Sequence, residues 1–280
     1  MIQGIKDILV GVTRADENSG SASALDYALS LAGQASACLS VQAASVRVQL
    51  RSAWTTGFAT NLVGEENRRR QRLAEAVAAE ANNRAKAAGL TCTTDTPHLP
   101  YPDLLDSFAF KARLHDLTVY AAEPESLGLG RGVIETLLTQ SGRPLIVVPS
   151  QKKTFSCRRI VIAWDGSDRA ARAANDALPL LHAAEAVEIV SVLGEKHISD
   201  DGMGTKFVPH LARHGIQASV ASPSVQDGDV AATLRTAAAK FGADLIVMGG
   251  YFHSRTRELI FGGVTQSLLK NSEQPLFMSY

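Results

Sequence analysis

The sequence predicts an α/β protein built from two similar domains in tandem, each a parallel sheet covered by helices on both faces. Three observations predict it. Short apolar runs rich in Ile, Val and Leu alternate with longer helical patterns along the whole chain, the pattern of βα units around a parallel sheet. The pattern then starts again half-way: DILVGV at 7–12 answers RIVIAW at 159–164, and HDLTVY at 115–120 answers ADLIVM at 243–248. Finally, GVIETLLTQSGRPLIVV at 132–148 answers GVTQSLLKNSEQPLFMS at 263–279, with the helix-to-proline spacing kept. A repeat of roughly 130–150 residues is a domain, too long for a solenoid unit. The expected domains are residues 1–150 and 157–280, joined by a short polar linker at 151–158. Two such domains in one chain are expected to pack as a pseudo-twofold dimer. The strands that end each half, PLIVVPS and PLFMSY, are the candidates for that interface.

The elements follow in order. Residues 5–12 read as a strand, 13–21 as a polar loop, and 22–34 as an amphipathic helix with Leu25, Ala28, Leu29 and Ala32 in its apolar stripe. Residues 37–50 read as a second strand and 51–64 as a loop carrying Trp54 and Phe58. A long helix is expected over 65–88; its charge run at 65–72 reads as a solvated helix face. Strand 90–96, a helix from Pro102-Asp103 to Leu114, strand 116–121, helix 133–140 and strand 144–148 complete the first half. The second half repeats this with strand 160–164, helix 167–184, strand 187–193, a shorter helix 203–214, strand 216–221 and helix 229–241. It ends with strand 243–248, a polar loop, a helix opening at Val264, and a last strand at 276–280 after Pro275.

Composition excludes several classes. The 280 residues are 45% hydrophobic and 20% charged, as in an ordinary globular protein. Lys+Arg and Asp+Glu both number 28, so neither a nucleic acid nor an anionic membrane is the expected partner. No apolar run is long enough to span a bilayer. The N-terminal segment enters a strand directly and lacks a signal-peptide pattern, and Cys38, Cys92 and Cys157 are too few and too dispersed for a disulfide framework or a zinc site. A cytoplasmic location is the expectation, with Cys38 and Cys92 as buried thiols.

Two strand ends carry candidate chemistry. Gly249 and Gly250 end one buried strand, and Gly262-Gly263 open the next helix. A glycine turn ahead of a helix N-terminus lets unpaired backbone N–H groups approach an anion, although such glycines also simply make turns. Asp165-Gly166-Ser167 ends another strand, and ligands of parallel sheets sit beyond such ends. The element order, DGS at 165–167 and the MG…GGV pattern at 248–264 together resemble the universal stress protein family. The resemblance covers nearly the whole chain, in the first half mainly by pattern. It implies two Rossmann-like domains of the adenine nucleotide alpha hydrolase kind, each with a five-stranded parallel sheet. It also implies a role in stress response. Many family members bind ATP; others act through dimerisation or partner binding.

The resemblance implies site residues in the second half. Ala163, Trp164, Val192 and Met248 would line a base pocket. Asp165 would accept ribose hydroxyls, or else cap the following helix. Gly249, Gly262, Gly263, Val264 and Thr265 would hold phosphates of ATP or another adenine nucleotide. The family's second loop glycine is Phe252 here, and its terminal Ser/Thr is Gly263; His253, Arg255 and Arg257 are substitute donors or plain loop charges. In the first half Thr13 stands at the acid position, Arg131 and Gly132 at the helix start, and Glu123 and Glu125 in the loop, where they would repel a triphosphate. No ordinary nucleotide site is expected there. His210 and His214 share a helical face but lack the glutamate of a zincin helix, and no Walker A or nucleophile elbow occurs. The expected function is therefore a degenerate nucleotide-binding protein without strong catalysis. The alternative is a module that acts through an unidentified protein partner or a homodimer.

Overall fold

The computed structural model describes residues 2–13, 22–49, 57–122, 129–194, 202–250, 252–255 and 258–280. For 57–59, 129, 252–255 and 258–260 the description is of the backbone. Trp54, Glu123, Glu125, Arg257 and the loop at 14–21 lie outside the described residues, as do the side chains of Phe58, Phe252, His253 and Arg255.

The first half runs β1 (Asp7–Thr13), α1 (Ala22–Ala35), β2 (Cys38–Val46), α2 (Gly57–Ala87), β3 (Cys92–Asp95), β4 (His98–Leu99), α3 (Tyr101–Arg113), β5 (Leu117–Ala121), α4 (Leu129–Gln140) and β6 (Leu145–Val148). The second runs β7 (Arg159–Ala163), α5 (Asp168–Asp176), α6 (Leu178–Leu181), β8 (Ala186–Val190), α7 (Met203–Arg213), β9 (Ala218–Ala221), α8 (Val230–Phe241), β10 (Leu245–Gly249), β11 (Phe252–Arg255), β12 (Glu258–Phe261), α9 (Gly263–Asn271) and β13 (Leu276–Ser279).

One continuous sheet carries both halves, in the order β3-β2-β1-β5-β6-β13-β10-β7-β8-β9. Within this sheet pairing is parallel inside each half, where helices make the crossovers between neighbouring strands. The halves join through β6 and β13, which pair antiparallel with Ile146 opposite Phe277. Pro144 and Pro275 precede these strands at matching positions, so Ile146 and Phe277 are counterparts. The join is therefore self-complementary about that pair, as a twofold requires. Leu145, Ile146, Val147, Leu276, Phe277 and Met278 are all at most 1% exposed, so each half's edge is covered by the other.

Strand side chains alternate between two apolar layers. Ile8, Val10, Ile160 and Ile162 face α1, α2, α5, α6 and α7; Leu9, Val161, Val147 and Ile246 face α3, α4, α8 and α9. In α1 the buried stripe is Leu25, Ala28, Leu31 and Ala32, with Leu29 only half-buried.

Several expectations are corrected. Helix α2 begins at Gly57, well inside the stretch expected as a loop, and its outer part is docked: Asn67 accepts from Val48 N–H and donates to Val48 O at 2.8 and 3.0 Å. The helix expected over 167–184 is two helices, since Pro179 cannot continue α5 and instead sits in the first turn of α6. The linker is not merely polar. Phe155 and Cys157 are buried, Phe155 meets Tyr27 edge-on at 5.4 Å, and Gln34 donates to Phe155 O at 3.0 Å. Cys157 is the buried thiol, its pKa pushed up to about 11 by burial, while Cys38 is exposed and Cys92 half-buried. The stretch expected as a polar loop before α9 contains a hairpin, β11 against β12, with Phe252 opposite Phe261 and Arg255 opposite Glu258.

Candidate functional site

In each half the chain runs outward through three strands and then returns to the other side of the first. The switch points lie between β7 and β10 and between β1 and β5. Crevices beyond the strand ends at such points are where parallel sheets place ligands.

In the second half, β7 delivers a tight turn. Gly166 takes φ +75°, which an L side chain rarely adopts, and Asp165 Oδ1 accepts the Ser167 N–H at 2.9 Å. Ser167 in turn caps α5, its hydroxyl accepting the Ala170 N–H at 3.1 Å. Asp165 therefore organises the turn, and Ser167 is the capping residue. The Asp165 side chain is exposed, and its second carboxylate oxygen has no hydrogen-bond partner among the described residues. Ser191 is buried and donates to Trp164 O at 2.9 Å, which pins the end of β7 to the β8 exit.

The expected base-pocket residues divide between two faces. Register places Met248 beside Ala163 across β10 and β7, and Val192 lies beyond Val190 on β8. These three share one apolar layer with Val264 and Phe261. Trp164 follows Ala163 directly and so points to the opposite face. There it stacks on Phe207 of α7 with ring centres 3.9 Å apart and planes 13° apart. The structure thus separates Trp164 from the other candidates.

The glycines have distinct roles. A Cβ on Gly249 would lie 2.8 Å from the backbone of Arg169 and Ala170, so this glycine lets α5 close against β10. Gly262 is the N-cap of α9 and has no side-chain cap bond; its carbonyl accepts the Gln266 N–H at 2.9 Å. The N–H groups of Gly263, Val264 and Thr265 precede that first helical bond. Gly263 is exposed, and a Cβ there would meet nothing within 4 Å. Thr265 is buried under this turn. Across the join, the Arg131 guanidinium lies 5.7 Å from the Phe261 ring centre and is paired with Glu135 at 2.9 Å. Phe261 was not a sequence candidate; an aromatic directly before the Gly-Gly pair was its signal.

The first half is built differently at the strand ends. Tyr120 stands where the second half has Met248, and Gly11 where it has Ala163. A Cβ on Gly11 would lie 2.8 Å from the Tyr120 ring, which therefore rests on the glycine. The Tyr120 hydroxyl reaches Thr13 Oγ1 at 2.6 Å, at the position of Asp165, and Phe108 packs edge-on at 6.3 Å. Tyr120 is 1% exposed and Thr13 4%, so this crevice is filled by the protein's own side chains. Helix α4 also starts at Leu129, three residues before Gly132, so the N–H groups from Val133 onward are already bonded within the helix. Any side chain on Gly132 would collide with the Tyr101 hydroxyl.

Elsewhere, a groove of about 510 Å³ lies between α8 and strands β8 and β9, lined by Arg159, Glu188, Gln226, Thr236, Lys240 and Phe241 among others. It shares no residue with the strand-end site. No group of three or more His, Cys, Asp or Glu side chains placed to hold a metal occurs among the described residues. None of the described helices is long and apolar enough to cross a membrane.

Residues 156–279 match the model of the Universal stress protein family. The second half of the chain is a universal stress protein domain. No curated protein matches the sequence. Among solved structures, the chain is similar to a universal stress protein from Archaeoglobus fulgidus DSM 4304. The TM-score is 0.69 at 18% identity, over 97% of this chain and 97% of that one. It is also similar to a functionally unknown protein from Pseudomonas aeruginosa PAO1, with a TM-score of 0.58 at 14% identity over 99% of this chain and 93% of that one. At such identities the likeness is one of fold, and it extends over both halves of the chain.

Proposed function

We propose that this chain is a tandem universal stress protein of residues 1–150 and 157–280 whose second domain binds an adenine nucleotide weakly and whose first domain binds none. The protein acts as a nucleotide-responsive stress protein without strong catalysis. The observation that carries this reading is the start of α9, where the N–H groups of Gly263 and Val264 precede the first helical bond and the exposed Gly263 has free space around it. Asp165 at the neighbouring strand end supplies an acceptor for a ribose hydroxyl, and Ala163, Val192 and Met248 supply an apolar wall. Gly263 lacks the hydroxyl that would bond a phosphate oxygen, and a hairpin occupies the stretch ahead of it, so affinity for a triphosphate is expected to be low. That hairpin is also what favours the second reading, a partner-binding module with no nucleotide.

The test is a calorimetric titration of the emptied protein with ATP, ADP and AMP, together with mass spectrometry of whatever the purified protein releases on denaturation. One adenine nucleotide per chain is expected. Gly263→Asp should keep α9, since an acid suits a helix N-terminus, yet repel a phosphate and weaken binding by about tenfold or more. Asp165→Ala should weaken it as well. Binding that neither variant changes would place the nucleotide elsewhere, and no binding at all would favour the partner module.

A further inference from the structure

The second half carries an aromatic ladder that the nucleotide reading does not use. Trp164 stacks on Phe207, Phe207 on His210 at 5.2 Å and 21°, and His210 meets His214 at 4.8 Å and 60°. His210 lies in the last turn of α7 and His214 is its C-cap, one turn on, so both imidazoles stand on one helical face. His210 is half-buried and held from two sides. Phe207 supports its ring, and the Asn175 side chain on α5 reaches its Nε2 at 3.3 Å. The Asn175 amide nitrogen donates to Ala171 O at 2.8 Å, which turns Oδ1 toward the histidine. Nε2 is then the N–H donor, and the lone pair of the neutral ring is on Nδ1.

This is how a metal-ligating histidine is oriented, with a carbonyl on its second nitrogen fixing tautomer and plane. With metal–nitrogen bonds of about 2.0 Å, two imidazoles sharing one ion bring their ring centres to roughly 5 Å, close to the separation seen here. The pair also sits at the C-terminus of α7, where the helix dipole places partial negative charge and favours a cation. Two nitrogen donors without a carboxylate suit copper, nickel or zinc and not magnesium or calcium, and copper(II) should bind tightest.

We propose that His210 and His214 form a two-imidazole site for a divalent transition metal on the α7 face, with Asn175 as the positioning residue. Water completes the coordination. The site lies on the opposite side of the sheet from Ala163, Val192 and Met248, and its occupancy does not depend on the nucleotide reading.

The experiment is a copper(II) titration of the full chain carrying Trp54→Phe, so that Trp164 is the remaining tryptophan. Expected are saturable quenching of Trp164 fluorescence at one copper per chain and an electron paramagnetic resonance spectrum with hyperfine splitting from two nitrogens. His214→Gln, an exposed position where folding should be untouched, is expected to weaken binding by at least about tenfold, because one imidazole remains of a chelating pair. Asn175→Ala should weaken it less and leave the two-nitrogen spectrum. Copper binding unchanged by His214→Gln and by His210→Gln would overturn the proposal, as would saturation without any loss of Trp164 fluorescence.

Discussion

The two halves of this sheet share strand order and even the position of their last proline, yet they place different side chains at the same strand ends. In the first half, β5 sends Tyr120 across Gly11 to Thr13, closing the strand ends with one side chain and one hydrogen bond. In the second, β10 offers Met248 and β7 offers Ala163, and Asp165 keeps an exposed carboxylate at the turn. The helix that follows repeats the contrast, since α4 begins three residues before Gly132 whereas α9 begins at Gly263 itself. The lesson is that a ligand crevice at a switch point belongs to the topology, while whether it stays open is decided by a few residues. A single large side chain opposite a glycine is enough to convert it into core.

The comparison rests on the halves being one cooperative body, and the join tests that with the largest expected effect. Phe277 is 1% exposed and sits opposite Ile146 at the centre of the local twofold. Phe277→Ala should cost about 4 kcal/mol, and Ile146→Ala on the other strand nearly as much, because both leave a cavity in the same buried seam. Chemical denaturation followed by Trp fluorescence and by far-UV circular dichroism should show one shared transition for both variants. Two separated transitions would mean that the halves fold as independent units, and the seam would then be a contact surface and not a shared core.

The strands were legible because buried parallel strands are short apolar runs, and the pairing of PLIVVPS with PLFMSY followed from the repeat itself. What escaped was set by tertiary contacts. The start of α2 carries Gly57, Thr60 and Gly64, poor helix formers, and its outer part is held by the Asn67 clamp on Val48. The β11–β12 hairpin was hidden because charged residues interrupt any alternation. At the site, Asp165 and the Gly262-Gly263 helix start were readable from spacing. The face of Trp164 was not, because its partner Phe207 lies on another helix. The filled first crevice did leave a trace, a Gly11/Tyr120 pair standing where the other half has Ala163/Met248, and that exchange of volume between neighbours is readable only once the strands are known to be adjacent.

A middle-sized effect sharpens the contrast at the ends of β5 and β10. Gly249 answers Ala121, and the backbone of the α5 first turn is pressed on Gly249. Gly249→Ala should cost about 3 kcal/mol, since the α5 first turn must shift to admit a methyl. Ala121→Gly removes a methyl from the first half and should cost about 1 kcal/mol. Thermal melts of the two variants check this, and a Gly249→Ala loss no larger than that of Ala121→Gly would remove the close-packing account of this glycine. It follows that Gly249 is a poor probe of ligand binding, because its substitution moves α5 before it touches any ligand.

The smallest effect bears most directly on the filled crevice. Tyr120→Phe keeps the ring on Gly11 and removes the hydroxyl that reaches Thr13. Thr13, 4% exposed, then loses that partner, and a buried hydroxyl left without one costs about 1 kcal/mol. Pairing it with Thr13→Val should recover most of that loss, because both polar groups are then gone from a site that is otherwise apolar. Neither variant should gain nucleotide binding, since the aromatic ring still fills the crevice and α4 still offers no open N-terminal turn beside Gly132. A Tyr120→Phe chain that binds a nucleotide in its first half would show that the hydroxyl, and not the volume of the ring, had kept the crevice closed.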